Sequence, residues 1–157
     1  MSRLTLPALD PATVEIVTPA SSPEPFRSRI GDRVKRRLGD ALGLTQFGVN
    51  LVTVGPGGKS AFRHWHTHED EFIYVLEGEV ALITDEGEQT LVAGMCAGFA
   101  AGVKNGHHFI NRSDRPATYL EIGTRIAADV AFYPDDDLMW LEMDGEFIPA
   151  HKNGTPY

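Results

Sequence analysis

One cysteine, Cys96, stands among the 157 residues, so no intrachain disulfide can form and stability must come from packing rather than crosslinks. No run of about 18 apolar residues occurs, which leaves no candidate for a membrane-crossing helix. The opening segment MSRLTLPALDPATVEIV also lacks the apolar centre of a secretory signal, and the chain is expected to be soluble and cytoplasmic. The matches to an N-glycosylation site at Asn111 and Asn153 are then chance hits. Basic residues are in deficit, 14 Lys and Arg against 22 Asp and Glu, giving a formal charge of -8. That balance argues against a nucleic-acid binder, which needs a net basic surface to neutralise phosphates.

What is present describes an ordinary globular chain of one domain, 42% hydrophobic and 23% charged. Residues 1–26 carry half of the ten prolines and little periodicity, which suggests an arm lying on the body or on a partner subunit. Six basic residues follow between Arg27 and Arg37, read as a solvated basic face leading to a short helix or loop at LGDALGL. Beyond residue 46 the pattern becomes short β-rich runs: FGVNLVTV, SAFRHWH, EFIYVLEG, EVALIT, QTLVAG, HHFIN and ATYLEIGTR. Runs this short and this closely spaced predict an all-β sandwich or barrel. The tail from Val130 is acidic and aromatic, with Asp135, Asp136, Asp137, Glu142, Asp144 and Glu146, and is expected to pair with the basic segment within or between subunits. The predicted organisation is an arm over 1–45, a barrel over 46–126 and an extension over 127–157.

The chemistry concentrates in RHWHTHEDEF, residues 63–72. Residues two apart on a strand face the same way, so His64 and His66 project together as a pair of imidazoles. His68 falls in the polar THED stretch, read as a turn. Glu71, Ile73 and Val75 share one strand face, and an acid that begins an apolar face needs a compensating partner. A cation held by the histidines supplies one. His107 and His108 offer a third imidazole, but they point to opposite faces and one alone can join. Imidazoles plus one carboxylate suit Fe, Mn, Zn, Ni or Cu better than Ca or Mg. A zinc-protease helix is excluded, because the fifth residue after the start of His68-Glu69 is Phe72. The GPGGKS stretch is no phosphate-binding loop, because Thr53 stands where a glycine is required. Cys96 is expected to be buried and inert.

The spacing Gly58-x5-His64-x-His66-x4-Glu71-x6-Gly78 resembles the first signature motif of the cupin superfamily at every position. Gly94-x5-Ala100-x-Gly102-x4-His107-x3-Asn111 resembles the second, with alanine for the usual proline and a turn two residues longer. The resemblance implies a double-stranded β-helix, or jelly-roll barrel, with His64, His66, Glu71 and His107 holding one divalent transition metal per chain. The wording DEFIYVLEGE and GHHFINRS is similar to single-domain bacterial cupins described as sugar-phosphate isomerases.

Three functions are compatible with that resemblance: a metal-dependent isomerase acting on a small polar metabolite, a dioxygenase using Fe or Cu, and a non-catalytic ligand-binding or sensor cupin. For the isomerase, His68, His108 and Tyr74 are the candidates to move a proton, and Arg63, Lys104 and Arg112 the candidates to anchor a phosphate. A homodimer is implied as well. Phe72, Tyr74 and Leu76, alternating with the Glu71 face, are read as inter-sheet or dimer packing.

Overall fold

The computed structural model describes residues 4–18, 24, 26–143 and 146–157. Of the expectations above, those on Pro19, Pro23, Pro25 and Asp144 lie outside these residues. A 3-10 turn over Pro11–Thr13 precedes β1 (Ile16–Val17), α1 (Phe26–Ile30), β2 (Arg33–Arg37) and α2 (Leu38–Ala41). The barrel strands follow as β3 (Phe47–Val54), β4 (Trp65–His66), β5 (Glu71–Glu77), β6 (Glu79–Thr84), β7 (Gly87–Val92), β8 (Cys96–Phe99), β9 (His108–Ile110) and β10 (Ala117–Thr124). The tail adds β11 (Ala131–Phe132), β12 (Met139–Met143) and β13 (Glu146–Ala150).

Alternation writes the architecture. In β3, β5 and β10 every second residue faces inward, apolar through the core with Asn50, Glu71 and Glu121 toward one end, and register places Tyr119 beside both Val52 and Val75. These strands form the centre of a six-stranded sheet ordered β1-β2-β3-β10-β5-β8, which faces a three-stranded sheet ordered β7-β6-β9. Val52, Val54, Ile73, Val75, Ala117 and Tyr119 from the first meet Val80, Leu82 and Phe109 from the second in one buried core. The fold is a jelly-roll barrel, all-β with two short α-helices among the described residues. No helix among the described residues is long and apolar enough to cross a membrane.

The motif glycines and asparagine shape the turns that close this barrel. Gly78 lies at φ +74°, and a Cβ there would meet the Pro116 carbonyl oxygen at 2.8 Å. A side chain at Gly58 would strike the Asp32 carbonyl oxygen. Asn111 is fully buried and ties down the turn to β10: its amide donates to the Val54 carbonyl at 2.8 Å and the Arg115 carbonyl at 2.7 Å, while its oxygen accepts from the Ser113 backbone at 2.9 Å.

Two expectations need correction. The basic segment is not simply a solvated face, because β2 pairs antiparallel with β3 and sets Arg33, Lys35 and Arg37 opposite the inward Val54 and Val52 and Asn50. Four of its five residues are basic, and that run of one sign hid a strand. Cys96 is exposed rather than buried, since Ala97 and Phe99 take the inward positions of β8. The Pro-rich segment leads into a second, smaller core, in which Phe26 and Ile30 of α1 pack on Phe62 and Leu138. There Arg29 pairs with Asp136 at 2.6 Å, joining the basic segment to the acidic tail within the chain.

Candidate metal centre

His64 and His107 are direct cross-strand partners: the His64 N–H donates to the His107 carbonyl at 3.1 Å and the His107 N–H returns the bond at 2.9 Å. Their rings therefore project side by side. His66 follows two residues on in β4, pinned by its pairing with Ala131 of β11. Glu71 begins β5 on the face that continues through Ile73 and Val75 into the core. Four side chains from two separated parts of the chain thus converge on the inner wall of the barrel.

One carboxylate oxygen lies at their centre. Glu71 Oε2 is 2.8 Å from His107 Nε2 and 3.7 Å from both His64 Nε2 and His66 Nε2. The donor atoms of His64, His66 and Glu71 all fall within 4.8 Å of one another, and His107 meets the group through the same Glu71 oxygen. Each ring's other nitrogen faces an atom that can only accept a hydrogen bond. Nδ1 of His64 donates to the Phe62 carbonyl at 2.7 Å, that of His66 to Asp129 Oδ2 at 2.5 Å, and that of His107 to the Asn105 carbonyl at 3.3 Å. Protons held at Nδ1 leave the Nε2 lone pairs of His64 and His66 turned toward Glu71. His107 cannot satisfy both neighbours as a neutral ring: its contacts need a proton on each nitrogen, or a cation between Nε2 and the carboxylate. Three nitrogens and one oxygen arranged this way fit a divalent transition-metal ion.

Electrostatics favour the ligand forms. Burial lowers the His64 pKa and only in part is offset by Glu71, which keeps the ring neutral. Burial alone would raise the Glu71 pKa, but the hydrogen bond from His107 and the neighbouring imidazoles outweigh it and bring it down to about 2. Burial also lowers that of His108. All three groups bind protons more readily in the unfolded chain, so stability contributed by them is present above their unfolded pKa values and lost on acidification. The melting temperature of metal-free protein is expected to fall as pH drops below about 6.5 for the histidines, and again below about 4.5 for Glu71. Thermal melts at pH 7.5, 5.5 and 3.5 check this, and a flat or rising profile contradicts it.

Asp129 carries no recognisable signal in AADVAF, yet it organises the site. Its Oδ1 accepts from the backbone N–H of His68 at 2.8 Å and of Glu69 at 3.2 Å, while Oδ2 fixes the His66 ring. His66, Glu69 and Asp129 form a second ligand-like cluster, but its carboxylates are occupied, since Glu69 accepts from the Ile126 N–H at 2.7 Å.

The remaining sequence candidates stand apart. The cavity beside Glu71, about 130 Å³, is lined by His64, Glu71, His107, Arg33, Lys35 and Glu121, with apolar residues and the Ser60–Ala61 backbone completing its wall. His68 is outside it, its Nδ1 on the Thr67 hydroxyl at 2.8 Å. His108 points the other way, to the Ala61 carbonyl at 3.2 Å, and Tyr74 is on the outer face of β5 with Phe72 and Leu76, all exposed. Of the anchors, Arg63 is engaged by Asp85 and Asp135, Arg112 holds Glu88 through two 2.9 Å bonds, and Lys104 rests over the Trp65 ring. Arg33, Lys35 and Glu121 are the charged cavity residues that the sequence reading missed; pairing of β2 with β3 places the first two.

A jelly-roll barrel with three imidazoles and a carboxylate gathered inside it defines the cupin class, and this chain belongs to the cupin superfamily. The cupin domain profile matches residues 50–123. Over 96% of both chains, the protein is similar to a sugar phosphate isomerase of the cupin superfamily from Silicibacter pomeroyi, with 44% identity and a TM-score of 0.89. It is also similar to a provisionally named sugar phosphate isomerase from Acidithiobacillus ferrooxidans, with 30% identity, 80% of each chain covered and a TM-score of 0.69. A polyketide cyclase from Streptomyces resistomycificus, 23% identical over 79% of each chain at a TM-score of 0.60, shares the fold alone. A search of curated proteins returns no match.

Proposed function

We propose that this cupin is a metal-dependent enzyme acting on a small polar metabolite, with isomerisation of a sugar phosphate as the favoured reaction. The observation that carries the metal reading is the Glu71 oxygen surrounded by three imidazoles whose other nitrogens are all held as donors. His64, His66, Glu71 and His107 would hold one divalent ion, and such an ion supplies polarisation of a carbonyl and its neighbouring hydroxyl. The likeness to the Silicibacter pomeroyi protein supports the substrate class.

Isomerisation also needs a group to carry a proton between neighbouring carbons. Among the described residues lining the cavity, Glu121 is the acid outside the ligand set. Lys35 at 2.6 Å and Asn50 at 2.9 Å both bind its Oε1, fixing the carboxylate in one orientation. We assign the proton transfer to Glu121 in place of His68, His108 or Tyr74. Phe99 lies flat on the His107 ring at 3.5 Å and helps keep water from that side of the site. The exposed Phe72, Tyr74 and Leu76 row supports a homodimer built on the outer face of β5.

The test is incubation of metal-loaded protein with a panel of aldose and ketose phosphates, followed by NMR in D2O. Interconversion with solvent exchange at the carbon beside the carbonyl, lost on chelation and in Glu121→Gln, is the expected result. Oxygen consumption by the Fe or Cu form would point instead to a dioxygenase. Binding without turnover would leave a sensor.

A further inference from the structure

We infer that the cavity beside Glu71 is an oxyanion subsite, in which Arg33 and Lys35 receive a carboxylate or phosphate group of the substrate. The inference deepens the proposed function and rests on it for the reaction, but the anion contact itself requires no metal. Arg33 and Lys35 alternate on β2, opposite the buried Val54 and Val52, so both side chains enter the barrel on one face of that strand. They line the same cavity as His64, Glu71 and His107.

Their charges are met unequally. Lys35 is paired with Glu121 at 2.6 Å. Among the described residues Arg33 has no ion pair and its buried Nε no hydrogen-bond partner, while one Nη donates to the Ser60 carbonyl. A guanidinium presents its Nε and Nη donors as a planar fork matched to two oxygens of one carboxylate or phosphate. A buried donor left unmet costs about 1–3 kcal/mol, and Arg33 carries that unmet donor while its side chain lines the cavity. Arg37 continues the basic row to the open mouth, a cavity of about 320 Å³ that also holds His66 and Glu69. Asp40, Glu69, Glu71 and Glu121 line the mouth as well, so the positive charge available to an anion is concentrated at Arg33.

Glu121 gives the arrangement its distinguishing property. It is the resident competitor for Lys35, and removing its charge frees Lys35 for the ligand.

The experiment is calorimetric titration of chelator-treated full-length protein with inorganic phosphate and, separately, with malonate at low salt. One saturable site for at least one of the two is expected, and the tighter one identifies the oxyanion. Binding should weaken at least about tenfold in both Arg33→Gln and Lys35→Gln, tighten about threefold or more in Glu121→Gln, and stay unchanged in Arg112→Gln. Circular dichroism verifies each fold, and Lys35→Gln carries the test if Arg33→Gln does not fold. No saturable binding to the wild type overturns the inference, as do wild-type affinity in Lys35→Gln or weaker binding in Glu121→Gln. Metal content of parallel untreated samples separates the two readings. A chain that binds the anion but never loads metal keeps the subsite and loses the metal centre; one that loads metal and binds neither anion does the reverse.

Discussion

His66→Ala, purified without chelator or affinity resin, is expected to carry less than about a tenth of a metal per chain, against about one in the wild type. The expectation follows from where the ring sits. His66 supplies an Nε2 at 3.7 Å from the Glu71 oxygen, and no other imidazole can replace it: His68 lies against Thr67 and His108 faces the Ala61 carbonyl. Losing one of the four proposed ligands would leave His64, Glu71 and His107 with an incomplete set, and affinity should drop by orders of magnitude. His108→Ala is the matched control and should retain metal in full, because its ring points away from the cluster. Elemental analysis of the three proteins is sufficient. Full metal in His66→Ala would end the assignment of this site. The element found also directs the search for turnover: Fe or Cu toward oxygen chemistry, Mn, Ni or Zn toward isomerisation.

The barrel was legible because its strands alternate cleanly. Tyr119 with its neighbours Ala117 and Glu121, or Ile73 with Glu71 and Val75, show the period of two that sends one set of residues inward. Three of the four residues in the cluster could be named for the same reason, since His64 and His66 share a strand face and Glu71 opens another. The geometry also distinguishes His107 from His108, which spacing alone could only favour: adjacent residues on a strand face opposite sides, and the His64–His107 bridge brings the first of them to Glu71.

The misses have a common cause. Arg33 and Lys35 belong to a segment whose composition reads as solvated surface, and only pairing with β3 reveals that alternate charges enter the barrel. Phe26 and Ile30 sit among prolines and arginines, so their burial against Phe62 and Leu138 depends on contacts far along the chain. Cys96 is apolar enough to suggest a core position, but its neighbours Ala97 and Phe99 take that face. Glu121 looks like one more surface acid on a strand until register sets it beside Lys35 and Asn50.

Asp129 is the residue that no motif announces, and Asp129→Asn is expected to weaken metal binding about 10–100-fold while leaving all four proposed ligands in place. The wild-type carboxylate is an acceptor at both oxygens. One takes the His68 and Glu69 backbone N–H groups, which shape the loop, and the other takes the His66 Nδ1 proton, which leaves Nε2 bare. An amide has one accepting oxygen and one donating nitrogen, so it cannot serve both. If the oxygen stays with the loop, the NH2 faces Nδ1 and drives the ring to the opposite tautomer, placing a proton on the nitrogen that would bind metal. If the oxygen turns to His66, the loop N–H groups lose their acceptor and the strand carrying the ring loosens. Competition with a metal-sensing chelator measures the affinity, and imidazole 15N shifts of the metal-free protein report the tautomer. A purely structural Asp129 would lower the melting temperature without moving the His66 tautomer. Wild-type affinity together with an unchanged tautomer would show that the ring is held by β4–β11 pairing and not by this carboxylate.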